Sequence, residues 1–100
     1  MKFSVVIPSF NDHRILRTLD SIITQDYKSD KIEIIVVDNN SKKKILDAIK
    51  KKLRKTDQII VERDKGIFFA INKGINKSSN NYIYTIGSDD YINNKIFFKK

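Results

Sequence analysis

The chain has no cysteine, and in 100 residues it has only one proline, three glycines and one histidine. Each scarcity excludes a kind of chemistry. Without cysteine there is no disulfide, no thiolate nucleophile and no cysteine zinc site, which agrees with a reducing compartment. His13 cannot build a metal centre by itself, and its place in the first turn of a helix reads as a surface position. No Ser-His-Asp arrangement can be proposed from the spacing. The few glycines form neither G-x-G-x-x-G nor the Walker pattern, so a glycine-rich phosphate loop is missing. No apolar run is long enough to cross a bilayer, and the opening "MKFSVVIP" turns polar at once in "SFNDHR", unlike a secretory signal. A cytoplasmic protein is expected. Linker-like stretches, low-complexity tracts and internal repeats are also lacking, so residues 1–100 read as a single domain.

What the chain does have is 40% hydrophobic residues and a formal charge of +8. The charge is local. Between residues 42 and 55 lie eight basic residues (Lys42, Lys43, Lys44, Lys50, Lys51, Lys52, Arg54, Lys55) and one acid, Asp47, so this segment carries +7 and the rest about +1. A solvated helix face is the plain reading. Attraction to anionic lipid, with peripheral attachment at the inner face of the membrane, comes next, and nucleic acid last. A binder of single strands would interleave aromatics with the lysines, and this segment has none.

"FSVVIP" is a β-branched run closed by Pro8, and "IEIIVVD" is a longer run with almost no alternation, as in strands covered on both faces. Between them Ile15, Leu16, Leu19, Ile22 and Ile23 recur at helical spacing, with Asn11 or Asp12 placed to cap the first turn. Ile45, Leu46, Ile49 and Leu53 stripe a second helix. "QIIVE" reads as a third strand and "YIYTIG" as a fourth. Between these two a third helix starts near Ile67 and ends between Gly74 and Ser79. Gly66 supplies its turn, Gly74 its stop, and Phe68 or Phe69 fills the core. A short helix near Asn93 or Asn94 closes the chain. Strands and helices alternating in this order predict an α/β domain with a parallel sheet of about four strands and helices on both faces. With the fourth strand beside the first, two helices cover one face and one the other, and the fourth strand is an edge expected to take a partner, either a second copy in a homo-oligomer or a C-terminal continuation of the chain.

In such sheets ligands bind outside the carboxyl ends of the strands, where strand order reverses. That rim collects Pro8, Ser9, Asn11, Asp38, Asn39, Asp64, Ser88, Asp89 and Asp90. Asp38, opening "DNNS", reads either as an Asx turn or as an acceptor for a ligand's ring N–H. Asp89 and Asp90 read either as acids dressing a turn or helix start, or as a hard-cation site for Mg²⁺ or Mn²⁺ completed by a substrate diphosphate. Asn72 is a poor helix former in mid-helix and needs a partner or solvent.

Taken in order, "SVVIPSFN", "IIVVDNNS", "DKGIFFAINKGI" and "YIYTIGSDD" resemble the successive blocks of the family-2 glycosyltransferases, most closely the bacterial polysaccharide and colanic-acid-type members. The resemblance runs from about Phe3 to Asp90. It implies a GT-A, Rossmann-like fold of the nucleotide-diphospho-sugar transferases, a UDP-sugar or related donor, and a saccharide or lipid-linked acceptor. It also implies a divalent metal cofactor, Mn²⁺ or Mg²⁺, on a DXD-type motif. Pro8 and Ser9 would shape the loop under the nucleotide, and Asp38 would meet the base. Asn11, Asn39, Asp64, Gly66, Asn72 and Ser88 would join the donor contacts. Asp89 would touch ribose or metal, and Asp90 would ligate the metal. Phe69 stands where the closer relatives have Asp, and Ile71 where many members have Arg. In the family the acceptor-binding half and the catalytic base follow the metal motif. No acid lies beyond Asp90, so the expected unit is the nucleotide-sugar-binding domain without that half, and no catalytic base is assigned. The competing readings are a non-catalytic donor-binding remnant and a basic α/β module for nucleic acid or anionic membrane.

Overall fold

The computed structural model describes residues 2–24, 31–63, 67–80 and 82–89. Asp64, Gly66, Asp90 and the helix expected near Asn93 lie outside the described residues. The order of elements is β1 (Phe3–Ser9), α1 (Ile15–Ile23), β2 (Ile32–Asp38), α2 (Lys43–Lys52), β3 (Gln58–Val61), α3 (Ile67–Lys77) and β4 (Tyr82–Thr85). The strands form one parallel sheet in the order β3-β2-β1-β4. Each rightward or leftward step is a crossover through a helix, and the direction reverses between β1 and β4. This is the α/β architecture expected from the alternation.

The unbroken apolar runs are explained by burial on both faces. Phe3, Val5 and Ile7 of β1 with Ile32, Ile34 and Val36 of β2 pack under α1 and α2, against Ile15, Leu19, Ile22, Ile45 and Ile49. Val6, Ile35 and Val37 point the other way, into the layer formed with Ala70 of α3. Neither central strand has a face left for water, so polar alternation is suppressed.

β1 continues past Pro8 to Ser9. A proline in a central strand removes a ladder donor, but here the loss falls where none is needed. The carbonyl of Val6 accepts the Ile86 N–H at 3.1 Å on the β4 side, and that of Ser9 accepts the Asn39 N–H at 2.9 Å on the β2 side. Alternation therefore turns the nitrogen of Pro8 toward β4, whose pairing with β1 has ended at Thr85.

One expectation about α3 is corrected. Gly74 does not stop the helix, which runs on to Lys77. It is a buried contact, since a Cβ there would lie 2.3 Å from Cγ1 of Val6. Of the two phenylalanines offered for the core, the Phe68 side chain lies outside what is described, and Phe69 is 40% exposed, because the face of α3 against the sheet carries the small residues Ala70 and Gly74, which let the helix approach closely.

Candidate functional site

Ser9 and Asp38 end their strands as register partners. Asp38 is fully buried, so its carboxylate must find hydrogen-bond donors. Oδ1 accepts the Ser9 hydroxyl at 2.7 Å and the Ser41 hydroxyl at 2.6 Å, and Oδ2 accepts the Ser41 backbone N–H at 2.6 Å. The Ser41 hydroxyl oxygen in turn accepts the Asn11 N–H at 2.8 Å, and the Asn11 side-chain oxygen accepts the Lys42 N–H at 2.8 Å. Lys42 is the N-cap position of α2. Asn11 therefore caps the second helix, not the first, and Asp12 takes the start of α1 by accepting the Arg14 N–H at 3.0 Å. Asn11 and Asn40 sit at φ 46° and 55°, a left-handed backbone that asparagine tolerates better than most residues. The loops "SFN" and "DNNS" are thus one hydrogen-bonded rim. The Asx-type turn at Asp38 is present, and three of its roughly four acceptor positions are filled.

Outside this rim lies a cleft of about 420 Å³ lined by Phe10, Asn11, Asn39, Asn40, Lys42 and Arg63. Phe10 is 56% exposed, a large aromatic ring standing free on a polar loop. One ring face, three side-chain amides and two cations make a surface suited to a flat polar ring carrying negative charge. A second recess of about 170 Å³, lined by Pro8, Ile71, Thr85, Ile86 and Gly87, lies between β1 and β4 where the strand order reverses.

Ser88 and Asp89 follow β4 at the same end of the sheet. Arg14 grips Asp12 with Nε on Oδ1 at 2.9 Å and Nη2 on Oδ2 at 3.0 Å, and the Ser88 hydroxyl donates to Asp12 Oδ2 at 3.0 Å. Thr18, buried, donates its hydroxyl to the Ser88 carbonyl at 2.9 Å, and Arg17 Nη2 donates to the Asp89 carbonyl at 3.3 Å. The Asp89 carboxylate remains half exposed, with the Arg14 guanidinium 3.9 Å away. Hydrogen bonding from Arg14 outweighs the opposing effect of burial and holds the Asp12 carboxyl down at about 2, from an ordinary 3.8.

Of the residues expected at the site, Pro8, Ser9, Asn11, Asp38, Asn39, Ser88 and Asp89 share the carboxyl rim, with Ser9 and Asp38 buried beneath the surface. Asn72 is exposed on α3 and lines neither recess. Sequence reasoning missed Phe10, Asn40 and Arg63, and treated Lys42 only as part of the charged segment. An aromatic ring between two polar rim residues in "PSFND" was the available signal. Among the described residues no group of three His, Cys, Asp or Glu side chains could hold a metal ion. Asp12 has both oxygens occupied, which leaves Asp89 as the open carboxylate among the described residues of this loop.

A parallel sheet whose polar rim flanks a reversal of strand order is the architecture of nucleotide-binding α/β domains. The chain belongs to the glycosyl transferase family 2, whose model matches residues 4–100. It is 40% identical over 98 residues to the glycosyltransferase GlyA of Streptococcus pneumoniae, covering 91% of this chain and 13% of that protein. It is 32% identical over 104 residues to the poly(ribitol-phosphate) beta-glucosyltransferase of Bacillus spizizenii, covering 99% of this chain and 16% of that protein. Among solved structures it resembles Staphylococcus aureus TarS in complex with UDP-GlcNAc, with TM-score 0.87 and 30% identity over 99% of this chain and 29% of that one. The chain therefore spans less than a third of the length of each.

Proposed function

We propose that the chain is the donor-binding part of a glycosyltransferase that moves a sugar from a nucleotide-sugar to a saccharide or lipid-linked acceptor in polysaccharide synthesis. The observation that carries the reading is the cleft at the carboxyl rim, which combines Phe10, three asparagines, Lys42 and Arg63 beside an acidic loop. In this reading the base lies against Phe10, and Lys42 and Arg63 face the negative charge of the donor. Pro8 and Ser9 shape the floor, and Asn11 and Asn39 hydrogen-bond the nucleoside. Asp38 offers its remaining acceptor position to a ring N–H, after a small opening of the loops that bury it. By family resemblance Asp64, Gly66, Asn72 and Ser88 join the donor contacts. UDP is the favoured nucleotide, supported by the UDP-GlcNAc bound to a 30% identical neighbour. A polyol-phosphate acceptor is supported by the name of the Bacillus relative, and a colanic-acid-type acceptor by motif resemblance.

A divalent ion, Mn²⁺ or Mg²⁺, would be held by Asp89 and Asp90 and complete its shell with donor and water oxygens. When bound it would neutralise charge on the departing diphosphate. The hard, exposed carboxylate of Asp89 fits that role, whereas Asp12, saturated by Arg14 and Ser88, does not. The remaining side chains bind and orient the donor, and none of them is assigned as the base.

A panel of UDP-, dTDP- and GDP-sugars with and without Mn²⁺ tests the reading by calorimetry or thermal shift, since a ligand bound only by the folded state raises apparent stability. Micromolar, Mn²⁺-enhanced binding of one sugar nucleotide is expected. Folded protein silent across the panel would remove it. We also infer a cytoplasmic protein whose exposed Lys43, Lys44, Lys50, Lys51 and Lys55 attach it peripherally to anionic lipid. Equal sedimentation with neutral and phosphatidylglycerol vesicles at low salt would exclude the attachment.

A further inference from the structure

The acidic loop after β4 is held from one side by the first turns of α1, through bonds that span most of the chain. Thr18, on the second turn of α1, donates its hydroxyl to the carbonyl of Ser88 across 70 residues of sequence, and Asp12 accepts the Ser88 hydroxyl across 76. The Asp89 carbonyl, one residue further on, accepts from Arg17. Three residues, one just before α1 and two in it, thus converge on two residues of the loop. Each contact is to the backbone or hydroxyl of the loop, which leaves the Asp89 carboxylate itself outward and half exposed.

Asp12 is not a spare ligand for the same site. Its Oδ1 accepts the Arg14 N–H and Nε–H, and its Oδ2 accepts Arg14 Nη2–H and the Ser88 hydroxyl. Four donors fill the roughly four lone-pair positions of a carboxylate. The pair with Arg14 also cancels its charge locally, so Asp12 behaves as a rigid post. Thr18 is fully buried, and its hydroxyl has two acceptors in reach, the Ser88 carbonyl at 2.9 Å and the Arg14 carbonyl one turn back at 3.2 Å, of which the shorter contact ties α1 to the loop.

We propose that Asp12 and Thr18 are positioning residues which hold the loop of Ser88 and Asp89 in the register from which Asp89 meets the phosphate end of the donor. The proposal rests on the donor-binding reading above. It separates two parts of the site. Asn39, Asn40 and Arg63 belong to rim loops that these contacts do not touch, and Phe10 lies two residues before Asp12 in the β1–α1 loop, so Thr18 is the member of the post whose loss spares nucleoside recognition. Recognition of the diphosphate depends on the post.

Thr18→Val removes the hydroxyl at nearly constant volume, and Thr18→Ser keeps it. Affinities for UDP with Mn²⁺ and for uridine alone are compared by calorimetry in wild type and both variants. Loss of one hydrogen bond that orders the loop predicts about a tenfold weaker UDP affinity in Thr18→Val, with uridine within about twofold of wild type. Thr18→Ser is expected to match wild type for both. Equal weakening of UDP and uridine in Thr18→Val, or no change in either, would overturn the proposal. Amide exchange at residues 86–89 reads the post without any ligand. Exchange faster in Thr18→Val and restored in Thr18→Ser supports it, and unchanged exchange overturns it. If wild type binds neither UDP nor uridine, the donor reading fails and the exchange result alone decides the post.

Discussion

Asp12 carries a strongly displaced carboxyl on the rim, and its consequence is a specific acid sensitivity. Its pKa is lowered in the folded chain from 3.8 to about 2, chiefly by hydrogen bonds from Arg14. A carboxyl held down in this way adds stability that is fully present above the unfolded value and is lost as pH falls through the folded one. Asp12→Asn is therefore expected to be less stable than wild type at pH 6, with the gap closing as pH drops from about 4 to 2. Urea midpoints of the two proteins across that range check it, and a gap that stays constant would refute the assignment. The sequence placed Asp12 only as a helix cap. Of its partners, Arg14 is only two residues on, whereas Ser88, 76 residues away, could not be read from spacing.

Among the elements, α3 shows how a single atom sets packing distance. Gly74 lies on the helix face that touches β1, and an added Cβ would meet Val6, a fully buried and stiff side chain. Alanine gains about 1 kcal/mol of helix propensity over glycine, but overpacking a tight core costs about 1–3 kcal/mol. The second effect is expected to win, since Val6 has no exposed space to move into. Gly74→Ala should lower the denaturant midpoint by the equivalent of about 1 kcal/mol at unchanged slope. Asn72→Ala on the exposed face should instead raise it by about half that. A stabilised Gly74→Ala protein would show that the helix can shift outward freely. The glycine was visible in the sequence as a break in a helical pattern, and a break at the end of an apolar stripe reads as a stop. Only the contact with Val6 makes it a close approach.

At the level of the whole domain, the sheet is closed on its faces and open at its sides. Two helices cover one face and one covers the other, and β4 is an outer strand among the described residues. Its Tyr82 and Tyr84 lean on Phe3 at 5.9 and 5.6 Å between ring centroids, yet remain 52% and 38% exposed. An outer strand with exposed aromatics is a ready template for pairing. The protein is expected to self-associate with rising concentration, and Tyr84→Lys should return it to a monomer in sedimentation velocity. A wild-type monomer at all concentrations would argue against the edge as a contact.

Hydrophobic spacing was enough to read all seven described elements, their alternation and the parallel sheet, because periodicity and burial on two faces are local properties of each segment. The same reading brought the polar strand ends to one rim, since a parallel sheet sends every strand end the same way. The interlock of that rim was not readable. The bonds from Ser9 to Asp38, from Asn11 to Ser41 and from Thr18 to Ser88 join residues 29, 30 and 70 positions apart. Which loops touch, which carboxylate is sealed in and which stays open follow from the twist and register of the assembled sheet. Those are properties of the packed chain, and no segment carries them alone.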